Sequence, residues 1–499
     1  MSEVIAFVLY FVVVLGIGLF FFIKSKEGNG EKEYFLGGRK MGPWVTAMSA
    51  QASDMSAWLL MGLPGSILAF GLGQAWIGIG LAIGTSLNWI LVAKRLRKFS
   101  KASSDAITFP QYLSNRFATS NPTLKIICAV VFLISFTIYV ASGFVAGTAV
   151  FTTLFPKLNE NEEVAMIIFA CIILLYTFLG GYKAVCWTDF FQGFLMLIAL
   201  MSVPIVIVCT KNLDFAALSN VYTYEGTEYI FKTNIFDASW KEIVSGLAWG
   251  LGYFGMPHIL VRFMSIEKPS MVKKSAIVAI IWVIITLFAA ILIAYLGRML
   301  IGEELLTNGN QKLVFIRLAR ELFPGFIAGL LLAAIIAASM STADSQLLVA
   351  SSSFTSDIYK PIIRKNASDK EVLWVGRLVV LIVALVAYFI ASSKGSGAQA
   401  IMNMVENAWG LFGAAFGPVV ILSLFWKRFT YKGAVAGIVS GAVVDILWLV
   451  FLKSTGIYEI LPGFIVGLIF SIVVSLIDKE PSKEVIGIFE RAIDKSINE

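Results

Sequence analysis

Apolar runs of about 20 residues recur from one end of this chain to the other, and a helix of that length crosses the hydrocarbon core of a bilayer. Within that core no water can satisfy a backbone N–H or C=O, so only helices and closed β-barrels can span it. The runs do not alternate every second residue, as barrel strands must, which leaves an all-α polytopic membrane protein. Composition agrees: 58% of the 499 residues are hydrophobic and 14% charged, against about 45–50% and about 25% in soluble domains. A soluble enzyme held by a single anchor is excluded.

A window of about 19 residues places spans near 3–23, 43–72, 74–93, 124–154, 163–180, 187–209, 240–261, 275–297, 325–350, 372–392, 401–426, 433–452 and 460–477, thirteen in all. The first run has Glu3 before it and Lys24 and Lys26 after it, the reverse of a secretory signal, so it reads as a retained span with its N-terminus outside. Strict alternation then assigns every loop to a side without using charge. The loops so placed inside hold Lys32, Arg39 and Lys40, the run Lys94 to Lys101, Arg116, Lys268, Lys273 and Lys274, Lys360 to Lys370, and Lys427, Arg428 and Lys432. The outer segments are acidic or mixed, as in Lys157 to Glu163 and the loop with Glu303, Glu304 and Glu321. The net charge of +7 is therefore a topological signature, and a nucleic-acid partner is unnecessary. Cys128, Cys171, Cys186 and Cys209 show no metal-ligand spacing and read as small core residues. The segment Lys312 to Leu322 has the apolar spacing of a short surface helix.

Two spans are poor continuous helices. The second carries Gln51, Ser53, Asp54 and Ser56 inside an apolar run, with Gly62, Pro64 and Gly65 beyond; the seventh carries Gly246, Gly250, Gly252, Gly255 and Pro257. A helix broken at membrane depth frees backbone groups that are tolerated only beside a cavity or a bound species. Broken spans five apart are also what two inverted five-span repeats would show, the sequence pointer to a transporter site at the midplane. This divides the chain into 1–42, a first repeat with its outer loop at 43–239, a second repeat at 240–430, and two peripheral helices with a short tail at 431–499.

Several side chains could carry chemistry there. A carboxylate inside a span is costly and usually faces a functional path, which singles out Asp54 and, in the ninth span, Asp344. Ser341 and Thr342 beside Asp344 offer the hard oxygen ligands an alkali cation needs, whereas Ser339 alone suits plain helix packing. Asp189, at the mouth of the sixth span, reads either as a second ion-linked acid or as an interfacial cap. Trp58, Tyr139, Trp249 and Tyr253 could wall a small pocket around the broken helices. His258 is the only histidine and reads as a packed residue near Arg262; no phosphate loop and no HExxH motif is present, so a nucleotide-driven pump or a zinc protease lacks support.

The strings Ala52-Ser-Asp-Met-Ser-Ala-Trp58, Trp249-Gly-Leu-Gly-Tyr253-Phe-Gly-Met-Pro257-His258 and Met340-Ser-Thr342, with Phe136 to Gly143 and Trp187-Thr-Asp189, resemble the sodium:solute symporter family. The resemblance implies a leucine-transporter-like five-plus-five inverted repeat and secondary active transport, with Na+ as coupling ion and neither catalytic residues nor a cofactor. It implies a sodium site from the carbonyls of Ala52, Met55 and Ala338 and the hydroxyls of Ser341 and Thr342, with Asp54 shaping it. It places Ser56, Trp58, Tyr139, Trp249, Tyr253 and Pro257 around substrate, and connects Asp189 and Ser345 with an extra sodium site in some relatives; Asp344 is less familiar there. Within the family the match is to carriers of L-proline, although Ala57 and Met256 stand where a Gly and a Gln are expected. The implied setting is the plasma membrane of a bacterium, with the C-terminus cytoplasmic and no required protein partner. Another small solute, such as a different amino acid, a sugar or pantothenate, remains the alternative substrate. A gated channel or a solute receptor is the alternative from a different class.

Overall fold

The computed structural model describes residues 1–25, 31–179, 181–394 and 398–494; Lys26, counted above with the first basic loop, lies outside them. Ten helices among the described residues are long and apolar enough to cross a membrane, or eleven with the bent pair Trp240–Phe254 and Pro257–Ser265. The expectation of thirteen is corrected in that respect. Of the two remaining expected spans, the one at 43–72 is broken into Pro43–Met55 and Gly62–Phe70, 13 and 9 residues long. The other is Glu162–Leu179, only 18 residues, opening on two glutamates. Several spans also run past their hydropathy limits. The third continues through a π-helical stretch at Asn88–Ala93 into the basic helix Lys94–Ala102.

Gly325–Phe354 is the central pillar, and every residue from Leu331 to Ser353 is buried. An apolar helix can be buried on all faces only if its neighbours approach closely, and its Ala and Ser residues permit that. It packs on Ser2–Ser25, Pro43–Met55, Thr123–Leu154 and Tyr182–Thr210. Ala398–Phe425 packs on Thr123–Leu154, on the unwound part of the seventh span and on Ile460–Ile477. The third and seventh spans meet backbone to backbone. A Cβ on Gly80 would lie 2.2 Å from the Gly246 carbonyl oxygen, and one on Gly84 2.3 Å from that of Gly250.

On one face, the segment between Tyr182–Thr210 and Trp240–Ala248 carries a hairpin pairing Tyr222–Tyr224 with Thr227–Tyr229. The buried Arg298 ties this hairpin down, donating to the carbonyls of Leu68 (3.1 Å), Asn220 (2.5 Å) and Tyr229 (3.1 Å) and lying over the Tyr222 ring. The surface helix expected at Lys312 to Leu322 is present as Val314–Leu322, with Val314, Phe315, Ile316, Leu318 and Ala319 turned inward.

Candidate functional site

The first break is set by one residue. Ser56 takes φ 48° and ψ −175°, a left-handed φ that a non-glycine residue adopts only under tertiary constraint, and its hydroxyl accepts from the Trp58 N–H at 3.1 Å. The last carbonyls of Pro43–Met55 thereby lose their helical donors: Trp58 N turns to Ser56 Oγ, and Leu59 N to Ser56 O. Two freed carbonyls find donors on other helices. Ser341 Oγ donates to Ala52 O at 2.8 Å, and Tyr139 OH to Asp54 O at 3.1 Å.

At the second break the chain tightens into a 3-10 helix over Trp249–Phe254, and Pro257 begins a half-helix bent by 45° from the first. Proline fits there because the first-turn N–H groups have no intrahelical partner. Asn88 Nδ2 donates to Tyr253 O at 2.9 Å and Trp409 Nε1 to Trp249 O at 2.7 Å.

Oxygen atoms converge between the first break and the central pillar. Ser341 Oγ lies 2.8 Å from Ala52 O and 3.2 Å from Ala338 O; Thr342 Oγ1 is buried and has no hydrogen-bond partner among the described residues. A cluster of carbonyls and hydroxyls with no net charge suits a small hard cation. Buried polar atoms normally find partners, so an orphaned hydroxyl beside such a cluster marks a place for a ligand. Asp54, fully enclosed, instead accepts from Tyr253 OH at 2.6 Å, so it joins the two broken helices to each other.

The rings form a stack. Trp58 lies on Trp249 with centroids 5.5 Å apart, Trp249 also faces Tyr458 at 5.2 Å, and Tyr253 stands edge-on to Trp409 at 5.0 Å. Trp58 Nε1 points to Met402 Sδ at 2.8 Å. Above the stack a cavity of about 250 Å³, lined by Gln74, Trp249, Met402 and Glu406 among others, reaches towards the hairpin face. Ser56, Trp58, Trp249 and Tyr253 are thus brought together, with Tyr139 joined through Asp54. Pro257 heads the second half-helix, and its neighbour His258 packs edge-on against Phe136 at 5.8 Å.

Asp189 belongs to a separate cluster. The sixth span starts at Tyr182, so Asp189 lies two turns inside it and is completely buried, which corrects the reading of it as an interfacial cap. Its Oδ2 accepts from Ser49 Oγ at 2.7 Å and pairs with Arg262 Nη2 at 3.2 Å. The same guanidinium nitrogen donates to Ser345 Oγ, which bonds in turn to Asp344 Oδ1 at 3.3 Å. Asp344 is therefore drawn away from Ser341 and Thr342 into a group of two carboxylates and one guanidinium.

Sequence reasoning placed Arg262 only beside His258 and did not single out Asn88, Ser49, Trp409, Met402 or Tyr458. Asn88 and Arg262 had a signal, being a polar and a charged residue within or at the edge of apolar runs. The rings and Met402 had none, because apolar side chains in a span are ordinary packing.

The face opposite the hairpin is sealed. Arg39, buried, donates to Met264 O, to Ala106 O at 2.7 Å and to Ser100 Oγ at 3.0 Å, and pairs with Asp105 at 2.8 Å. Burial opposes ionisation of Asp105, but Lys32 and Arg39 outweigh it and hold its carboxyl below the usual range. Arg97 Nε and Nη2 bind the carbonyls of Ile266 and Glu267 at 2.6 and 2.9 Å, and Met41 pairs with the same segment.

Comparison with known proteins adds to this geometry. The family model of the sodium:solute symporter family matches residues 34–441. The sodium/proline symporter of Escherichia coli (strain K12) is 42% identical over 487 residues, covering 95% of this chain and 93% of that protein. Sodium/proline symporter 2 of Staphylococcus saprophyticus is 44% identical over 494 residues, covering 96% and 93%. Among solved structures, a Na+-coupled sialic acid symporter in a substrate-bound outward-open state superposes with a TM-score of 0.75 at 20% identity, covering 97% of this chain and 98% of that one. Mhp1, a nucleobase-cation-symport-1 family transporter, gives 0.54 at 13% identity, covering 92% and 98%. These likenesses establish the leucine-transporter-like fold of a multi-pass helical membrane protein. The chain belongs to the sodium:solute symporter family.

Proposed function

We propose that this chain imports L-proline together with Na+ by alternating access. The observation that carries the reading is the convergence of two broken helices on one buried place, with a neutral oxygen cluster on one side and an aromatic stack on the other. Na+ is held by the carbonyls of Ala52, Met55 and Ala338 and the hydroxyls of Ser341 and Thr342. Because Ser341 Oγ bonds Ala52 O, the cation draws the central pillar and the first broken helix together. Asp54, tied to Tyr253, passes that change to the seventh span. Proline packs its ring among Trp58, Trp249 and Tyr253, and Ser56, Tyr139 and Pro257 border it. The two relatives named sodium/proline symporters support this substrate.

Asp189 and Ser345 already share the Arg262 guanidinium, so the reading carries one Na+ per cycle. One is enough. Across about 100 mV it releases about 2.3 kcal/mol, and a tenfold gradient adds about 1.4, together about 500-fold accumulation of a neutral solute. The chain sits in the plasma membrane of a bacterium with its N-terminus outside and its tail in the cytoplasm. The hairpin face is then outer and the sealed face inner. Repeats at 43–239 and 240–430 rock against each other around the site, while 1–42 and 431–499 flank them.

Ala57 and Met256 are both buried beside the pocket, which keeps a related solute as the second reading. Competition decides between them. Under a fixed inward Na+ gradient, excess unlabelled L-proline should abolish uptake of labelled L-proline, and other amino acids, a sugar and pantothenate should not. Uptake better suppressed by one of those solutes would replace proline as the substrate.

A further inference from the structure

A second cavity, of about 190 Å³, lies on the sealed face. Arg97, Lys98 and Lys101 of helix Lys94–Ala102 line it, with Glu267 and Pro269 from the link after Pro257–Ser265 and Arg491 from the tail helix Lys483–Ile493. Four cations thus line a cavity whose lining includes one carboxylate, Glu267, with Asp494 near Lys98 and Asp105 near Arg97. None of the four makes an ion pair with an acidic side chain among the described residues. Lys98 donates to the Asp494 carbonyl at 3.3 Å and lies within reach of the Asp494 charge. Arg97 is 4% exposed; its Nε and Nη2 hold two carbonyls, and its Nη1 is buried with no hydrogen-bond partner among the described residues. A charge bias towards one side of the membrane scatters cations over the surface. It does not bury a guanidinium with a spare donor at the wall of a cavity.

We propose that this cavity binds a phosphate-bearing anion. A guanidinium fork with ammonium groups around it matches the several acceptor oxygens and the compact charge of a phosphate. Lys101 and Ala102 end the basic helix that continues the third candidate span, so the phosphate of an anionic lipid at that end of the span would meet the cavity. The tail helix supplies the third wall, held by buried Val485, Ile488, Phe489 and Ala492. An anion here ties together the end of the third span, the link after the seventh and the tail, and so reinforces the contact that Arg97 makes with Ile266 and Glu267. The site stands whether or not proline is the substrate.

The test is binding, read by native mass spectrometry of the full chain released from detergent. One arm titrates phosphatidylglycerol against phosphatidylcholine, and the other titrates inorganic phosphate, followed by the thermal midpoint. The site variant is Lys98→Gln/Lys101→Gln/Arg491→Gln. The control Lys273→Gln/Lys274→Gln/Lys365→Gln removes the same charge from the same face. The expected result is saturable retention of phosphatidylglycerol, or a phosphate-dependent rise in the midpoint, that weakens at least about tenfold in the site variant and not in the control. The arm that responds identifies the source, lipid headgroup or free phosphate. Equal loss in site variant and control, or no selectivity over phosphatidylcholine together with no response to phosphate, overturns the proposal.

Discussion

Arg262→Gln puts the buried charge cluster to a quantitative test. Its guanidinium is 1% exposed and is, among the described residues, the sole cation hydrogen-bonded to Asp189, which is 0% exposed, while Asp344 lies in the same cluster. Glutamine can keep one hydrogen bond but leaves Asp189 as an uncompensated buried charge, which costs about 3–5 kcal/mol. An unfolding entropy of about 2.1 cal/mol/K per residue over the whole chain makes 1 kcal/mol worth about 1 °C, so the midpoint should fall by about 3–5 °C. Adding Asp189→Asn removes the stranded charge. The double variant should be more stable than the sum of the two single losses by about 1–3 kcal/mol, or about 1–3 °C. The assay is thermal unfolding in detergent followed by tryptophan fluorescence, with size-exclusion recovery as a second readout. Two single losses that simply add, within about 0.5 kcal/mol, would refute the coupling of Arg262 and Asp189.

Other outcomes follow from the same geometry. Ser341→Ala removes a hydroxyl from the oxygen cluster and should raise the Na+ concentration for half-maximal uptake about tenfold with little change in the thermal midpoint, read from the Na+ dependence of initial rates. Tyr253→Phe removes a 2.6 Å hydrogen bond to a carboxylate and should cost uptake about 10- to 100-fold, whereas a conservative loss of packing alone would leave the rate within about twofold. Gly84→Ala drives a methyl into the Gly250 carbonyl and should destabilise the chain by about 1–3 kcal/mol, seen as a lower midpoint and reduced folded yield. Lys312 lies outside the spans, and burial, partly offset by Glu162, pushes its pKa from 10.5 down to about 8. The folded chain therefore binds fewer protons there than the unfolded one between those values. Through this group stability should rise with pH from about 8 to 10.5, and Lys312→Met should flatten that part of the midpoint-against-pH curve.

Much of this architecture is legible in the letters, for physical reasons that also set the limits. Spanning helices announce themselves because the bilayer demands length and apolarity at once, and the seventh span shows its break through the crowding of glycines before Pro257. The first break is harder to place: Gly62, Pro64 and Gly65 look like the weak point, yet the chain turns at Ser56, where tertiary contacts impose a left-handed φ on a serine. Composition also hides how far a span extends, so the basic helix Lys94–Ala102 reads as a loop although it continues the third span. The partition of acids is not local information either. Asp344 and Ser341 are neighbours in sequence, but Arg262, 83 residues before Ser345, draws Asp344 and Ser345 towards Asp189 and leaves Ser341 with Ala52. The tail helix Lys483–Ile493, a short amphipathic segment of mixed charge, gives no hydropathy signal and is held by Phe489 packed on Phe99.

The most direct test of coupled proline import is uptake of labelled L-proline into liposomes holding the purified chain, with an inward Na+ gradient against an equal K+ gradient, and with Asp54→Asn and Ser341→Ala beside the parent. The account predicts accumulation above equilibrium with Na+ alone, lost or strongly weakened in both variants. Equal uptake under the two gradients, or equilibration without accumulation, would contradict it.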